Sequence, residues 1–446
     1  MRVGIIGAGA AGLAAAYNLT KLGHYAEVFE QAPFLGGQAS TFLVGGGRLE
    51  RGYHHLFVSD TDMVDLIQEL GLGEKLAWLE SQVGLFHGGR LWDFSTPWDL
   101  LRFKPLSLVQ RLRVGLWSLV LQKTSNWQKY ESVTAQEWIT RRMGKEAYQV
   151  IWEPLLRGKF GENYDQISMT WLWGKFRLRV SSRQGILARE RLGYPMGSFG
   201  EVFDTLGERI EQQGGDIHLS ARVQRVVVED GTATGLEVKL PDQDPEIEAE
   251  IRSYDAIIAT TPSYIFTRLV PPLPVAYQER LDNVRYLAAV VLILALDRPL
   301  SDKYWMNIAD LSLPFVGVIE HTNLVDPALY GGNHLVYLTN YPSRDSELYQ
   351  MSAEELLAAY LPHLQKINPQ FDPSWVREYF HHKIDGAQPI IGVNYGQRIP
   401  EHRTPFRNLY LANTTQIYPE DRGTNYSVRM GHLVARMVLE DAQAGC

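Results

Sequence analysis

Residues 2–12 read RVGIIGAGAAG, a short apolar run that leads directly into three spaced glycines. An alanine-rich stretch follows, so the pattern predicts a strand, a tight turn and a helix. In this arrangement Gly7 permits the turn, and Gly9 lets a pyrophosphate approach the backbone. Gly12 lets the helix pack closely on the sheet. The stretch therefore predicts a Rossmann-like, dinucleotide-binding start.

The next strand-like run supplies the acidic residue that such a site needs. Residues 26–29, AEVF, predict a second strand that leads into Glu30, eighteen residues after Gly12. An acidic residue at about this distance accepts hydrogen bonds from a ribose. The N–H groups of Ala10 and Ala11, in the first helical turn, are then expected to point at the pyrophosphate.

The composition excludes several other classes of protein. The chain has 446 residues, of which 45% are hydrophobic and 21% charged, as in ordinary globular proteins. Its formal net charge of -8 argues against wholesale binding to nucleic acid. The only cysteine is Cys446, which excludes an internal disulfide, cysteine-rich zinc sites and iron–sulfur clusters, and we nominate no metal ligands. Redox chemistry is therefore expected to come from a bound cofactor.

A double glycine favours a flavin over a nicotinamide. After Glu30 the chain runs through Gln31 to Gly36 and Gly37, which are followed by Gln38. A strand, an acidic residue and a double glycine resemble the FAD-binding start of the flavin amine oxidase superfamily, which includes protoporphyrinogen oxidases, phytoene-type desaturases and UDP-galactopyranose mutases. The resemblance implies FAD. Because Cys446 lies beyond the helix where a cysteinyl link would sit, the FAD is expected to be noncovalent at least with respect to such a link. Relatives often carry Arg or Lys at the position of Gln38, so one charged contact is expected to be missing.

A second family-like segment is residues 50–57, ERGYHHLF. It is similar to the family segment that passes an acidic residue and a glycine close to the isoalloxazine ring, which implies that Gly52 and Tyr53 contact the cofactor. His54 and His55 are the candidate catalytic residues. Because successive side chains of an extended segment point to opposite faces, at most one of them is expected to face the flavin.

The resemblance continues where the chain returns to the cofactor. It implies that the backbone at Val223 contacts the adenine end of FAD, and that Thr260 lies in the loop after a sheet strand. Near the C-terminus, a strand ending at Asn413 precedes a motif with Asn425 and Tyr426. In the family this motif directs a helix N-terminus at the flavin, where it stabilises the reduced ring. Most relatives have an acidic residue at position 413, so an uncharged amide contact is expected here.

These features predict an α/β fold with a Rossmann-like FAD-binding domain of the glutathione-reductase-like type, built from discontinuous segments, and an α+β substrate-binding domain with a helical insertion. Residues 61–175 are expected to be mostly helical, and the apolar run 287–296 to be a buried strand. We assign the FAD-binding domain to residues 1–100, 190–262 and 386–446, and the substrate-binding domain to residues 101–189 and 263–385.

Basic residues in the expected substrate domain favour an anionic ligand. The segment 175–191 has six Lys and Arg residues against one Glu, a net charge of +5. We nominate Arg177 and Arg179, together with His321 in a polar loop, as substrate contacts. Such a cluster could grip a diphosphate, porphyrin carboxylates or an anionic lipid, or it could be a solvated basic face.

The leading functional hypothesis is an FAD-dependent oxidoreductase that dehydrogenates a bulky organic substrate by hydride transfer to flavin N5, as protoporphyrinogen oxidases and desaturases do. The alternative is a nonredox sugar-nucleotide isomerase similar to UDP-galactopyranose mutase, in which reduced flavin is the nucleophile. Amine oxidation and a noncatalytic FAD-binding role stay open. A small molecule is the expected partner, and the sequence does not indicate the oligomeric state.

The hydrophobic runs bear on membrane attachment. The apolar run after Arg2 opens into the glycine motif instead of a cleavage site, so no secretory signal is expected. No run reaches the roughly 18 apolar residues of a transmembrane helix, and we expect a cytoplasmic protein. The apolar stretch 106–121 is expected to pack against the core, with peripheral membrane contact as the alternative.

Overall fold

A computed structural model describes residues 1–181, 189–241 and 249–445. Its first sheet has five parallel strands, which come from the N-terminal, middle and C-terminal parts of the chain. The sheet is therefore parallel and discontinuous, as predicted. In spatial order its strands are Asp216–His218, Tyr25–Phe29, Arg2–Ile6, Ala256–Ala259 and Leu409–Leu411.

Helices cover one face of this sheet, and a small antiparallel sheet covers the other. Because side chains alternate along a strand, Ile5 packs with the helices while its neighbour Ile6 packs with the small sheet. The helices are Ala10–Lys21, Ser198–Gln212 and Thr424–Ala444. The strands of the small sheet are Arg222–Glu229, Thr232–Lys239 and Glu250–Ser253.

The second sheet has seven strands and is mostly antiparallel. Its long Tyr286–Leu296 strand is buried at every position after Tyr286, which confirms the buried strand predicted for residues 287–296. Such a continuous apolar run suits a strand that is covered on both faces. In spatial order the strands are Val376–Pro389, Tyr286–Leu296, His334–Asn340, Gly317–Glu320, Trp305–Ile308, Val83–His87 and Arg90–Asp93.

The second sheet corrects two predictions. Residues 83–93 hydrogen-bond into it, although the assigned FAD-binding segment 1–100 included them. The mostly helical pattern expected for residues 61–175 is also wrong over residues 76–93, which form three strands. The signal for the last two strands was present in Gly88 and Gly89, which both have positive φ and form a two-residue hairpin turn between apolar runs.

The other elements are short strands and the helices of the insertion and the periphery. One two-stranded sheet pairs Thr41–Val44 with Gly47–Glu50, and one three-stranded sheet has the order Leu56–Phe57, Arg191–Pro195, Leu76–Glu80. The remaining α-helices of four or more residues are Thr61–Glu69, Pro97–Arg102, Leu108–Lys123, Ala135–Arg142, Glu153–Phe160, Met169–Ser181, Ser263–Leu269, Val275–Asp282, Glu347–Gln350 and Ala353–Ile367.

The Leu108–Lys123 helix does not pack as predicted. Its only buried residues are Val114 and Leu121, and most of its other large apolar side chains are exposed. The expectation that residues 106–121 pack against the core is therefore wrong for most of this helix. Across the described residues, none of the helices has both the length and the apolar character needed to span a bilayer.

A close helix contact fixes the last helix against the first. A Cβ atom on Gly431 would lie 2.3 Å from the carbonyl oxygen of Ala11, so the two backbones touch where the side chain is missing. Gly115, in the middle of the Leu108–Lys123 helix, has no such constraint, because a Cβ atom there would lie 3.8 Å from Leu100.

We predict that Gly431→Ala lowers the free energy of unfolding by about 1–3 kcal/mol, because the two helices must separate. The matched control Gly115→Ala should raise it by about 0.5–1 kcal/mol, because alanine is the better helix former. Urea unfolding followed by circular dichroism measures both changes. Equal effects of the two substitutions would contradict the close helix contact.

Candidate functional site

The N-terminal turn leaves no room for side chains. Gly7 has a φ of 102°, and a Cβ atom there would lie 2.5 Å from Thr260 Oγ1. A Cβ atom on Gly12 would lie 2.0 Å from the carbonyl oxygen of Gly7. Thr260 closes the turn, since its hydroxyl donates to the carbonyl oxygen of Ile6 at 2.8 Å. The turn and the close helix packing predicted for Gly7 and Gly12 thus have a direct steric basis.

The two glycine segments touch one another. The Gly36 N–H donates to the carbonyl oxygen of Ala8 at 2.9 Å, and Gly9 and Gly36 form an isolated β-bridge. A Cβ atom on Gly37 would lie 3.0 Å from Gly9 Cα. A Cβ atom on Gly9 would meet no described atom closer than 3.9 Å. We call this bare backbone surface around Gly9 and Gly37 the glycine cradle; it has the open space that a pyrophosphate needs.

Glu30 lies beside the glycine cradle. Its two carboxylate oxygens accept hydrogen bonds from the N–H groups of Ala8 and Ala32, each at 2.8 Å. These bonds fix the carboxylate and leave lone pairs that can accept from a ribose. The neighbouring Gln31 is exposed.

Gln38 and the segment before Val223 each bond to another part of the chain. The Gln38 amide donates to the carbonyl oxygen of Gly386 at 3.1 Å, which connects the double glycine to the end of the second sheet. Val223 is buried in the small sheet. The N–H of Ala221 donates to the carbonyl oxygen of Glu30 at 2.8 Å. The segment that leads to Val223 therefore passes beside Glu30, where the adenine-side contact is predicted.

Two buried polar atoms, one in the first turn of the last helix and one in the loop after the Ala256–Ala259 strand, have no partner among the described residues. In the Thr424–Ala444 helix, Asn425 Oδ1 accepts from the Met63 N–H at 3.0 Å. Asn425 Nδ2 and Thr261 Oγ1 are buried and have no hydrogen-bond partner within the described chain. Such atoms cost free energy unless a ligand or water satisfies them. Tyr426, the next residue, is half-buried.

Asn413, by contrast, is saturated by protein groups. Its Oδ1 accepts from both the N–H and the hydroxyl of Thr415. Its Nδ2 donates to the carbonyl oxygen of Thr261 at 3.0 Å and to Ser263 Oγ at 3.3 Å. An amide has two donor hydrogens and two acceptor lone pairs, so all are used. Contrary to the prediction, the side chain keeps no polar group free for a cofactor.

The geometry fits a dinucleotide cofactor. The glycine cradle is open, Glu30 is fixed beside it, and the first helix begins directly after Gly9. The start of the last helix adds the unpaired Asn425 amide. Helix N-termini favour anionic groups, so the cradle suits a pyrophosphate.

His54 and His55 have different neighbours, as alternation along an extended segment predicts. His54 Nδ1 lies 2.6 Å from the carbonyl oxygen of Gly52, and its ring lies 5.8 Å from that of Phe199. His55 Nδ1 lies 2.9 Å from the hydroxyl of Tyr304. Burial lowers the pKa of His54 to about 4 and that of His55 to about 3, so both rings are neutral at neutral pH.

Three cations surround one buried carboxylate close to this segment. Lys175 Nζ lies 2.5 Å and Lys159 Nζ 3.4 Å from Asp421 Oδ2, and Arg422 is the next residue along the chain. The indole N–H of Trp171 donates to Asp421 Oδ1 at 2.9 Å. We call Lys159, Lys175, Asp421 and Arg422 the Asp421 cluster.

The charges of the Asp421 cluster are mutually dependent. Burial alone would raise the pKa of Asp421, but the neighbouring Lys159 and Lys175 hold it well below its usual range. Burial lowers the pKa of Lys175 to about 8 and also lowers that of Lys159, against the attraction of the carboxylate. One carboxylate does not neutralise the cations, so the cluster carries net positive charge at neutral pH.

Aromatic rings join the Asp421 cluster to Tyr53. The ring of Tyr341 lies 5.2 Å from Lys159 Nζ and 6.0 Å from the Arg422 guanidinium. The hydroxyls of Tyr341 and Tyr53 are 2.7 Å apart, and Tyr53 meets Trp305 edge-on at 4.9 Å. We call Tyr53, Trp305, Tyr341 and the Asp421 cluster the aromatic–cationic wall. It can hold a ligand by ring contacts and by positive charge.

The sequence did not reveal this wall, although parts of its signal were present. Lys159 is on the Glu153–Phe160 helix, Lys175 on the Met169–Ser181 helix, and Asp421 precedes the last helix. Asp421 stands next to an arginine inside the C-terminal family motif, which could have marked it. Its pairing with lysines some 250 residues away follows only from the tertiary fold.

The two arginines nominated as substrate contacts are separated. The guanidinium of Arg179 lies 5.9 Å from the Trp305 ring, beside the aromatic–cationic wall. Arg177 is exposed and lies over Trp173 instead, at 5.4 Å. Residues two apart on a helix point to nearly opposite sides, which explains the difference. Arg183, which belonged to the same basic segment, lies outside the described residues.

His321 is not placed as predicted. It is 2% exposed, and its Nε2 lies 2.8 Å from the hydroxyl of Tyr330. The adjacent Glu320 is fully buried and accepts from the N–H groups of Leu300 and Ser301. The loop is therefore held in the core, because Glu320 bonds to backbone groups and His321 to a tyrosine hydroxyl, and the nominated substrate contact of His321 is wrong.

Glu50, the first residue of the family-like segment 50–57, is also a buried carboxylate. Its oxygens accept from the hydroxyl of Tyr194 at 2.9 Å and from the Phe199 N–H at 2.9 Å. Burial raises its pKa to about 7. The Tyr337 hydroxyl donates to its carbonyl oxygen at 2.8 Å. Glu50 therefore anchors the segment that carries Gly52 and Tyr53.

Comparisons with known proteins agree with this geometry. The family model described as flavin containing amine oxidoreductase matches residues 10–439. A 15-cis-phytoene desaturase of Glycine max is 21% identical over 99% of this chain and 80% of its own length. A mitochondrial protoporphyrinogen oxidase of Nicotiana tabacum is 32% identical over 38% of this chain and 34% of its own length. The structure of reduced UDP-galactopyranose mutase superposes with a TM-score of 0.75 at 17% identity, over 98% of this chain and 95% of that one.

The fold and the glycine cradle define a flavin-dependent oxidoreductase. The chain belongs to the family of flavin containing amine oxidoreductases, which confirms the family predicted from its glycine segments and C-terminal motif.

We predict that Gly9→Val leaves the protein folded and abolishes flavin retention, because its side chain would enter the open space of the cradle. The contrasting Gly12→Ala should destabilise the fold itself, because its Cβ atom collides with the Gly7 carbonyl oxygen. The ratio of flavin to protein absorbance, measured alongside urea unfolding, separates the two effects. A stably folded Gly9→Val protein with full flavin content would refute the cradle assignment.

Removing the carboxylate of Asp421 tests the cluster. Asp421→Asn should lower the free energy of unfolding at neutral pH by about 2–3 kcal/mol, because half-buried cations lose their counter-charge. The stability of this variant should rise between pH 7 and pH 9, because the unfolded chain holds the Lys175 proton that the folded protein releases at lower pH.

The double variant Asp421→Asn/Lys175→Met should recover part of the lost stability and lack that pH dependence. Urea titrations at several pH values measure all three proteins. An Asp421→Asn variant as stable as the parent at every pH would show that the cluster does not depend on its carboxylate.

Proposed function

We propose that this enzyme binds FAD noncovalently and dehydrogenates a bulky, largely apolar organic substrate at the aromatic–cationic wall. The observation that carries the proposal is the make-up of the wall, which brings Tyr53 of the Gly52–Tyr53 segment together with Asp421, a few residues before the last helix. By the family resemblance, these are the two segments that lie beside the flavin ring.

The cofactor proposal rests on groups already fixed in the fold. The glycine cradle would hold the pyrophosphate, Glu30 the ribose, and the first turn of the last helix the flavin, with Asn425 Nδ2 as a free donor. The parallel order of the first sheet supports the glutathione-reductase-like subtype. When bound, FAD supplies the acceptor for a hydride at its N5 atom.

The side chains of the wall are of the kinds that bind and orient a large ligand. Tyr53, Trp305 and Tyr341 offer ring faces and edges, which suit an extended apolar skeleton. The Asp421 cluster and Arg179 add positive charge at one side, which suits a carboxylate or other anionic end.

The two histidines have a restricted role in this proposal. Because burial holds the pKa of each well below neutrality, neither His54 nor His55 is a cationic acid at neutral pH. His55 is held by Tyr304 on the side of Trp305, so it can position a substrate by hydrogen bonding. His54 is held by Gly52 and orients the segment that carries Tyr53.

The substrate class follows the whole-chain similarity. Sequence similarity to phytoene desaturase extends over 99% of the chain, whereas the sequence similarity to the protoporphyrinogen oxidase of Nicotiana tabacum covers 38% of it. We therefore propose a polyene-like substrate first and a porphyrinogen second. The aromatic rings of the wall favour a polyene as the substrate, whereas its cations favour a porphyrinogen, which carries carboxylates.

A nonredox mutase is the second candidate, and the Asp421 cluster is the observation that favours it. Its excess positive charge, with Arg179 beside it, could grip the diphosphate of a sugar nucleotide. Such an enzyme would turn over only after its flavin is reduced and would show no net redox change.

Anaerobic mixing of the flavin-loaded protein with phytoene, protoporphyrinogen and UDP-galactopyranose distinguishes these candidates. We expect phytoene or protoporphyrinogen to bleach the flavin absorbance. Turnover of UDP-galactopyranose by the dithionite-reduced protein, with no bleaching by the other two compounds, would replace the proposal with the mutase. Failure of all three compounds would overturn the substrate assignment.

A matched pair of arginines tests where the substrate binds. If the bleaching substrate is anionic, Arg179→Ala should raise its KM by about tenfold, because a charge-assisted contact is lost. Arg177→Ala, on the opposite side of the same helix, should leave KM unchanged. Equal effects of the two substitutions would contradict binding at the wall.

A further inference from the structure

The Leu108–Lys123 helix exposes an unusual number of large apolar side chains. Val109 is 75% exposed and Leu116 is 60% exposed, values typical of surface lysines rather than of valine and leucine. A patch of contiguous exposed aliphatic side chains on one element marks an interaction site. The exposed side chains are Leu108, Val109, Leu112, Leu116, Leu119 and Val120, which we call the 108–120 apolar surface.

These side chains lie on one face of the helix. They recur at intervals of three and four residues, which aligns them along a single stripe. The opposite face holds the buried Val114 and Leu121, which pack on the rest of the insertion. The stripe is therefore presented to solvent while a second face anchors the helix.

The segment that carries the stripe has a net positive charge. Residues 97–147 contain nine Lys and Arg residues against four Asp and Glu, a net charge of +5, in a chain whose net charge is -8. The Leu108–Lys123 helix itself contains no acidic residue. The net charge of this segment is thus opposite in sign to that of the whole chain.

The charges are held next to the apolar surface by specific contacts. The guanidinium of Arg113 donates to the carbonyl oxygens of Arg141 and Arg142, which brings the end of the Ala135–Arg142 helix beside the stripe. The exposed Arg142 lies over the ring of Trp117 at 4.9 Å. Lys123, at the end of the stripe, is exposed as well.

We propose that the 108–120 apolar surface docks onto an anionic phospholipid bilayer. A helix with aliphatic side chains on its outer face and Lys and Arg at its edges lies in the membrane interface, with the aliphatic groups among the acyl chains and the basic groups at the lipid phosphates. The lysine and arginine stems extend this contact by placing their charges at the headgroups.

The charge pattern selects a membrane over a second copy of this chain. A symmetric dimer through the stripe would place two regions of +5 against each other, which like-charge repulsion opposes. An anionic bilayer would bury the apolar side chains among its acyl chains and would also attract the neighbouring positive charges.

The docking surface connects to the proposed substrate site. The indole N–H of Trp173, on the Met169–Ser181 helix, donates to the carbonyl oxygen of Thr124 at the end of the apolar helix. The same Met169–Ser181 helix carries Lys175 and Arg179 of the site. Docking would therefore hold the site near the bilayer, although the docking proposal does not depend on the proposed reaction.

Vesicle sedimentation tests the proposal. The flavin-loaded protein is mixed with vesicles of phosphatidylcholine alone or of an equal mixture of phosphatidylcholine and phosphatidylglycerol. We expect it to sediment with the mixed vesicles, less with phosphatidylcholine alone, and less again at high salt. Leu112→Glu/Leu116→Glu should weaken binding to the mixed vesicles by about tenfold or more, because two apolar anchors become negative charges.

A matched control carries the same charge change elsewhere. Val275→Glu/Leu311→Glu alters two side chains that are 73% and 76% exposed but lie outside the apolar helix. This control should bind the mixed vesicles as the parent does, and unchanged urea unfolding of both variants shows that they fold.

Absence of sedimentation by the parent would overturn the proposal, as would equal binding by the Leu112→Glu/Leu116→Glu variant. Concentration-dependent dimerisation that this variant abolishes, without vesicle binding by the parent, would assign the surface to a second copy instead.

Discussion

The structure depends on one steric constraint, the contact of backbone with backbone at the N-terminal glycines. Gly12 packs on the carbonyl oxygen of Gly7, so the first helix begins just after the short turn that follows its strand, and Gly37 meets Gly9 beside this turn. Because a Cβ atom at Gly7 or Gly12 would collide with its neighbours, the segments that follow later in the chain pack closely around the turn. Thr260 closes the turn, and the last helix packs on the first helix at Gly431.

The second sheet and the helical insertion complete a site next to this cofactor region. Tyr53 follows the double-glycine region along the chain, yet its partner Trp305 lies in the second sheet and Tyr341 directly follows one of the strands of that sheet. Asp421 lies a few residues before the last helix, and its carboxylate pairs with Lys159 and Lys175 of the insertion. A buried ion pair adds little net stability on its own but is costly to break, so it fixes the relative positions of the segments that it joins.

The sequence predicted best what depends on local patterns. The glycine turn and the buried Tyr286–Leu296 strand follow from spacing and periodicity within short windows. The discontinuous parallel sheet followed from the family resemblance. The Asp421 cluster could not be paired from sequence, because its members meet only through the tertiary fold. The role of His321 was mispredicted because its ring is buried against the Tyr330 hydroxyl, while the adjacent Glu320 bonds to backbone groups. The packing of the Leu108–Lys123 helix was mispredicted because an apolar sequence does not reveal which face of the helix is exposed to solvent.

We propose that the glycine cradle holds FAD without a covalent bond, and the absorbance spectrum of the purified protein tests this assignment. We expect a yellow protein that releases all of its flavin as FAD when it is denatured and filtered. A colourless protein that cannot be reconstituted with FAD would contradict the cofactor assignment. Flavin that stays with the denatured chain would contradict noncovalent binding.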